Sequence, residues 1–354
     1  MASRKKQSSQ TDSLSIELEI AKGLEDIALD ELVERFERRI VSDIDKTPGA
    51  LKFDYTGNPG GLLSLLTINA AYLVETFPIP RPKAFLGHQY KAILVERIQQ
   101  AMQIVGRDAY TTIHINAAGS GSSVMQRMLI ELGEATSLVP DAEAGDMTLR
   151  LRPSASKKGW DAMVRLSPRP NATRSWRVVN VPGALNAAVA HAMVRLSEPS
   201  PEDTVLNVAG GSGSIAIERA LHGPAQQILL CDVDDEMLSA AHENIGAAGL
   251  TERIDIRDWN ALDIPMSPGS VDVLLADLPF GNLVGSHGNN VELYPSLLKE
   301  AARVCKRGGR FVFITHEINL MDAVIRDSNK WEQVTSMQIT LSGLHPRIYV
   351  LLKS

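Results

Sequence analysis

The stretch "TVLNVAGGSGSIAIERALHGPAQQILLCDVD", residues 204–234, decides the fold. Two short apolar runs flank a helical segment, and a glycine-rich turn joins the first run to the helix. The same alternation continues through "IDIRDWN", "VDVLLAD" and "RFVFITH". Five apolar runs spaced by helices predict a parallel sheet covered on both faces. In open sheets of that kind, ligands sit beyond the carboxyl ends of the strands.

Gly210, Gly211 and Gly213 let the backbone turn sharply and approach a ligand, and the next helix presents its N-terminus to that ligand. Asp232 closes the second run 19 residues after Gly213, where an acid hydrogen-bonds ribose hydroxyls. A nicotinamide dinucleotide satisfies both features equally well, so the later runs must discriminate. After the third, Asn260, or else Asp258, is a polar group for an adenine edge. After the fourth comes "DLPFG", residues 277–281, which has no place in a dehydrogenase turn. Pro279 restricts Leu278 to an extended conformation and so fixes its carbonyl. Asp277 and that carbonyl are two acceptors converging on one amino group, and Phe280 offers a flat face to a base.

The N-terminal half reads differently. "SLSIELEIA" alternates as a strand, "GLEDIALDELVERFERRI" repeats at helical spacing, and "YKAILVERIQQAMQIV" places Leu94, Ile98, Ala101 and Val105 on one helical face. "YTTIHINA", "MTLRLR" and "WDAMVRLS" read as strands, and "SSVMQRMLIELGEA" as a serine-capped helix. "VPGALNAAVAHAMVRLSEPSPED" reads as a helix followed by a polar linker. The expected organisation is 1–13 disordered, 14–170 an α/β region, 171–200 a helical linker and 201–354 the parallel-sheet domain.

A chain of 354 residues favours two or more domains. No apolar run approaches the ~18 residues of a membrane span, and the basic, polar N-terminus lacks a secretory segment, so a cytoplasmic location is expected. Cys231 and Cys305 make neither a disulfide framework nor a zinc site, so we expect buried thiols and no metal. The net charge of −6 hides an asymmetry: residues 1–190 carry 23 Lys and Arg against 21 Asp and Glu, whereas 191–354 carry 13 against 21. Basic residues gather in 150–177 around Trp160 and Trp176. Arg150, Arg152, Lys157, Lys158, Arg174 and Arg177 there are the candidate phosphate-binding set, and a solvated surface face is the alternative.

"NVAGGSG", "CDVD" and "DLPFG" together resemble the S-adenosylmethionine-dependent amino-methyltransferases with an Asn/Asp-x-Pro-aromatic motif. "NNVELYPSLLKEAARVCKRGGRFVFIT" and "LSGLHPRIYVLLKS" narrow this: they are similar to the THUMP-domain tRNA guanine-N2 methyltransferases. "GLEDIALDEL" and the pattern of residues 110–167 look like that family's ferredoxin-like region and THUMP domain. The resemblance implies a seven-stranded Rossmann-like domain whose last strand, "IYVLLK", is antiparallel. It implies S-adenosylmethionine held by Asn207, Gly210, Gly211, Gly213, Asp232, Asn260 and Asp277, although the family often has acids where Asn207 and Asn260 stand. It further implies catalysis by Asp277, Leu278, Pro279 and Phe280 on a guanosine N2 amine, and tRNA as partner, with a monomer as default. An aspartate suits guanine because N1–H and the amine are adjacent donors, whereas adenine puts an acceptor beside its amine. The other readings are another RNA or adenine N6, a non-catalytic RNA-binding relative, and a nucleotide-dependent oxidoreductase. Tyr294 and Pro295 are expected to line the base pocket or to pack beneath it, and His316 and His345 to be core or rim residues rather than bases.

Overall fold

The computed structural model describes residues 13–155, 158–278, 287–341 and 343–354, with side chains of 287–289 excepted. The expected disorder of the N-terminus, and the roles given to Lys157, Pro279 and Phe280, therefore lie outside the described residues. The chain divides into two compact units: the described part of Met1–Ile20 with Leu29–Asn171, and Ala21–Ala28 with Ala172–Ser354.

The first unit is built on one eight-stranded sheet. Its strands are β1 (Leu14–Glu19), β2 (Val41–Thr47), β3 (Ala50–Tyr55), β4 (Ala70–Phe77), β5 (Thr112–Ala117), β6 (Val139–Pro140), β7 (Met147–Pro153) and β8 (Trp160–Arg165). Their order is β2-β3-β1-β4-β8-β7-β5-β6. The two regions expected here thus share a single sheet, joined where Leu73 of β4 pairs with Val164 of β8. Helix α1 spans Glu25–Arg35, of which Leu29–Arg35 fall in this unit, α2 His88–Val105 and α3 Ser123–Thr136. Ser122 caps α3 by accepting from the Met125 amide. Leu94, Ile98 and Ala101 of α2 are buried as its spacing predicts, but Val105, in the last turn before Gly106, is 42% exposed.

The second unit holds α4 (Ala187–Leu196), β9 (Thr204–Val208), α5 (Ser214–His222), β10 (Gln227–Asp232), α6 (Asp235–Ala247), β11 (Asp255–Asp258) and β12 (Val271–Asp277). They are followed by α7 (His287–Val304), β13 (Cys305–Thr315), α8 (Ile318–Asp327), β14 (Trp331–Gln338) and β15 (Arg347–Lys353). The seven strands run β11-β10-β9-β12-β13-β15-β14, with β15 antiparallel to both neighbours, as expected for "IYVLLK". Leu274, Leu275 and Ala276 of β12 are fully buried, which is why that strand reads as a continuous apolar run. Strand order reverses between β9 and β12, so the carboxyl ends of these two strands flank the switch point.

Two boundaries differ from the expectation. Residues 172–200 are part of the second unit rather than a linker, because α4 is buried along Ala187–Val194. Residues 21–28 also group there. Lys22 accepts from the Thr340 amide at 2.9 Å, and Gly23, at φ +101°, passes so close to Gln338 that a Cβ would lie 2.4 Å from its carbonyl oxygen.

Candidate active site

Beyond the ends of β9, β10 and β12 lies a cavity of about 500 Å³, within the ~300–1,000 Å³ usual for small-molecule sites. The glycine turn forms one wall. Gly210 donates its amide to the Cys231 carbonyl at 2.9 Å, so close to β10 that a Cβ there would sit 2.5 Å from Leu230 Cγ. Gly211 has φ +53°, and a Cβ on it would meet nothing within 4 Å. Ala209, a non-glycine residue, is also held at φ +47°, local strain of the kind that gathers at functional sites. Gly213 itself does not line the cavity. It precedes α5 at φ +88°, and Ser214 and Ile215 of that helix's first turn do line it.

Asp232 ends β10 on the cavity's rim. Its Oδ2 accepts from the Gly211 amide at 2.8 Å and its Oδ1 from the Val233 amide at 2.8 Å, which fixes the carboxylate between turn and strand end. Asp234 caps α6, its side chain accepting from the Glu236 and Met237 amides. Asp277 and Leu278 form the far side. Burial pushes the Asp277 carboxyl from its usual 3.8 up to about 7. Leu278 is pinned by its amide to the Ile314 carbonyl at 3.0 Å. Tyr294 is packed in the core under this end, its hydroxyl 2.8 Å from Thr315 Oγ1.

Two expected cofactor residues lie elsewhere. Asn207 is fully buried and outside the cavity lining. Its Nδ2 donates to the Leu275 carbonyl at 3.1 Å, so it ties the strand leading to the glycine turn to the strand leading to Asp277. Asn260 is exposed, and its Oδ1 accepts from the Leu262 amide at 2.9 Å, a local turn that consumes the side chain. Asp258 is exposed and His345 is exposed; neither they nor His316 line the cavity.

The basic stretch is corrected more thoroughly. Arg150 pairs with Glu19 at 3.0 Å and lies over the Tyr72 ring. Arg152 forks onto Glu17, with Nη1 to Oε1 at 2.9 Å, and also approaches Asp161. In the second unit, Arg174 pairs with the fully buried Glu218 at 2.8 Å, and Arg177 donates to the Leu185 carbonyl and to Ser214 Oγ. These guanidiniums are committed to internal partners. Of the named set, Lys158 is exposed. Trp160 is half-buried and Trp176 buried.

Sequence reasoning missed the remaining walls: Val181–Leu185, Val233, Met237 and Leu344 all line the cavity. The Pro182-Gly183 dipeptide, a turn signal directly before α4, was the clue that residues 181–185 are a loop rather than helix.

Residues 174–347 match the family model described as UPF0020, an RMKL-like methyltransferase domain. The second unit thus carries a methyltransferase domain similar to that family. The chain is 31% identical over 183 residues to a Bos taurus protein named tRNA (guanine(6)-N(2))-methyltransferase THUMP3, covering 48% of this chain and 36% of that one. It is 32% identical over 133 residues to the Bos taurus U6 snRNA (guanine-N(2))-methyltransferase THUMPD2, covering 38% of this chain and 26% of the relative. The chain thus spans only 36% and 26% of the length of these two curated relatives. The crystal structure of TrmN from Thermus thermophilus matches with a TM-score of 0.76 at 23% identity, over 96% of this chain and 100% of that one. That likeness extends the shared fold to both units.

Proposed function

We propose that the protein methylates the exocyclic N2 amine of a guanosine in RNA, with tRNA as the favoured substrate, using S-adenosylmethionine. The observation that carries this reading is Asp277, a carboxyl raised by burial to about 7, in the same cavity as the glycine turn and Asp232. Names of relatives support guanine N2 as the target and RNA as the substrate class.

The cavity fits the cofactor. Asp232, with its oxygens held toward the rim by backbone amides, suits the ribose hydroxyls, and the first turn of α5 favours a carboxylate. The uncrowded Gly211 leaves room for close approach. Bound there, S-adenosylmethionine supplies a methyl group on a cationic sulfur. Asp277 then has two tasks. As carboxylate it accepts a hydrogen bond from the guanine amine, whose lone pair is delocalised into the ring, and aligns it. Methylation of the amine would make its nitrogen more acidic, and Asp277 would take the proton released; a value near 7 suits a base working near neutrality. The Leu278 carbonyl is the second proposed acceptor, and Pro279 and Phe280 keep their proposed roles in fixing it and stacking the base.

RNA would dock on the first unit through exposed cations that the sequence pattern did not single out, Arg81 and Lys83, together with Lys158. Among the described residues no helix is long and apolar enough to cross a membrane and no His, Cys, Asp and Glu side chains group to hold a metal. We place the protein in the cytoplasm, acting as a monomer.

The test is methyl transfer from labelled S-adenosylmethionine to RNA by the full chain, followed by digestion and nucleoside chromatography. The label is expected in N2-methylguanosine and absent with Asp277→Ala, which should still bind the cofactor. Label in N6-methyladenosine, or undiminished transfer by the variant, would overturn the reading.

A further inference from the structure

One buried side chain joins the two halves of the cavity wall. Asn244, on the inner face of α6, has no exposed surface. Its Oδ1 accepts from the Val179 amide at 2.9 Å and its Nδ2 donates to the Val179 carbonyl at 3.1 Å. The same Nδ2 donates to the Ser212 carbonyl at 3.1 Å. Val179 lies two residues before the loop 181–185 that forms one wall, and Ser212 belongs to the glycine turn that forms another. Both hydrogens of the amide and its oxygen are therefore spent on backbone groups of these two segments.

The neighbourhood explains why asparagine stands here. Ala240 and Ala241 make this face of α6 small enough to approach the turn, where a Cβ on Gly213 would lie 3.5 Å from Ala241 Cβ. Val179 thereby gains in-plane partners for both its amide and its carbonyl, which a loop residue away from strands otherwise finds in water. Two further anchors hold the same loop: Arg174 on Glu218, and Arg177 on Ser214 Oγ and the Leu185 carbonyl. Those anchors tie the loop to α5. Asn244 ties it to the glycine turn itself.

We infer that Asn244 is a positioning residue that sets the spacing of the cofactor cavity by fixing the loop 179–185 against the glycine turn. It touches no ligand atom; it acts through Val179 and Ser212. The inference rests on the cavity being the S-adenosylmethionine site. Losing one net hydrogen bond of this kind corresponds to roughly tenfold in affinity.

The experiment compares wild type, Asn244→Ala and the isosteric Asn244→Asp in the full chain. Asp keeps the acceptor for the Val179 amide but replaces both donors with an oxygen facing the Val179 and Ser212 carbonyls. Two readouts are taken: S-adenosylmethionine affinity by calorimetry, and amide hydrogen exchange. Both variants are expected to bind about tenfold more weakly or worse. Exchange should rise in residues 177–186 while β9, β12 and β13 stay protected. Wild-type affinity in the Asp variant, or exchange raised uniformly through the second unit, would overturn the positioning role. A wild-type protein that binds no S-adenosylmethionine would instead sink the functional reading beneath it.

Discussion

Asp277→Asn should stabilise the protein while abolishing its chemistry. The Asp277 carboxyl is held near 7 in the fold, against 3.8 ordinarily, so the fold prefers its neutral form. Below the unfolded value both states are protonated and nothing is lost. As pH rises, the unfolded chain ionises first, and stability drains away until the folded carboxyl also ionises near 7. The shift spans about three decades, which sets a ceiling of about 4 kcal/mol. The carboxyl lines an open cavity, and solvent entry reduces the expected effect to ~1–2 kcal/mol. Asparagine keeps the shape and cannot ionise, so the variant should melt ~2–8 °C above wild type at high pH, given ~2–4 °C per kcal/mol for a unit of this size. The assay is thermal melting of both ligand-free proteins from about pH 4 to about pH 8. The gap should be absent at the acid end and grow steadily. A gap that does not depend on pH, or a wild type that is the more stable at high pH, would refute the claim that burial raises this carboxyl. Turnover measured in parallel should fall ~100-fold or more.

The two glycines should fail for different reasons. Gly210→Ala drives a Cβ to 2.5 Å from Leu230 Cγ and should cost ~1–3 kcal/mol by denaturant titration, with Leu230→Ala in the same chain less than additive. Gly213→Ala meets only ordinary contacts at 3.5 Å and should cost ~1–2 kcal/mol through its φ of +88° alone, unrelieved by any change at Leu230. Arg174→Ala should destabilise the second unit by ~3–5 kcal/mol, because Glu218 is fully buried, and leave the salt dependence of RNA binding unchanged. Arg81→Ala with Lys83→Ala should do the converse, keeping the melting temperature and lowering the salt slope by up to ~0.9 per lost phosphate contact, read by binding titrations at several ionic strengths.

The features legible in the sequence are those set by local rules. Period and run length marked β9, β10, β12 and β13 because a strand buried on both faces must be apolar at consecutive positions. Gly210, Gly211, Asp232 and Asp277 could be found because a sharp turn and a strand end restrict which residues fit, and all four meet at one cavity. The misreadings share a different cause. Arg150 and Arg152 looked like a phosphate-binding surface, yet their partners Glu19 and Glu17 lie 131 and 135 residues away in the chain. No window of sequence contains both members of such a pair, and the pairing forms only when β1, β4, β8 and β7 align side by side. Asn207 and Asn260 sit near the strand ends that the pattern indicates, but which way each side chain turns depends on a neighbouring strand in one case and a local turn in the other. The loop 181–185 became a cavity wall because Asn244, Arg174 and Arg177 fasten its approach to α5, α6 and the glycine turn. Local propensity chose the elements and the chemistry at their ends; long-range pairing of buried polar groups, which costs too much to leave unmade, decided which charges face solvent and what encloses the site.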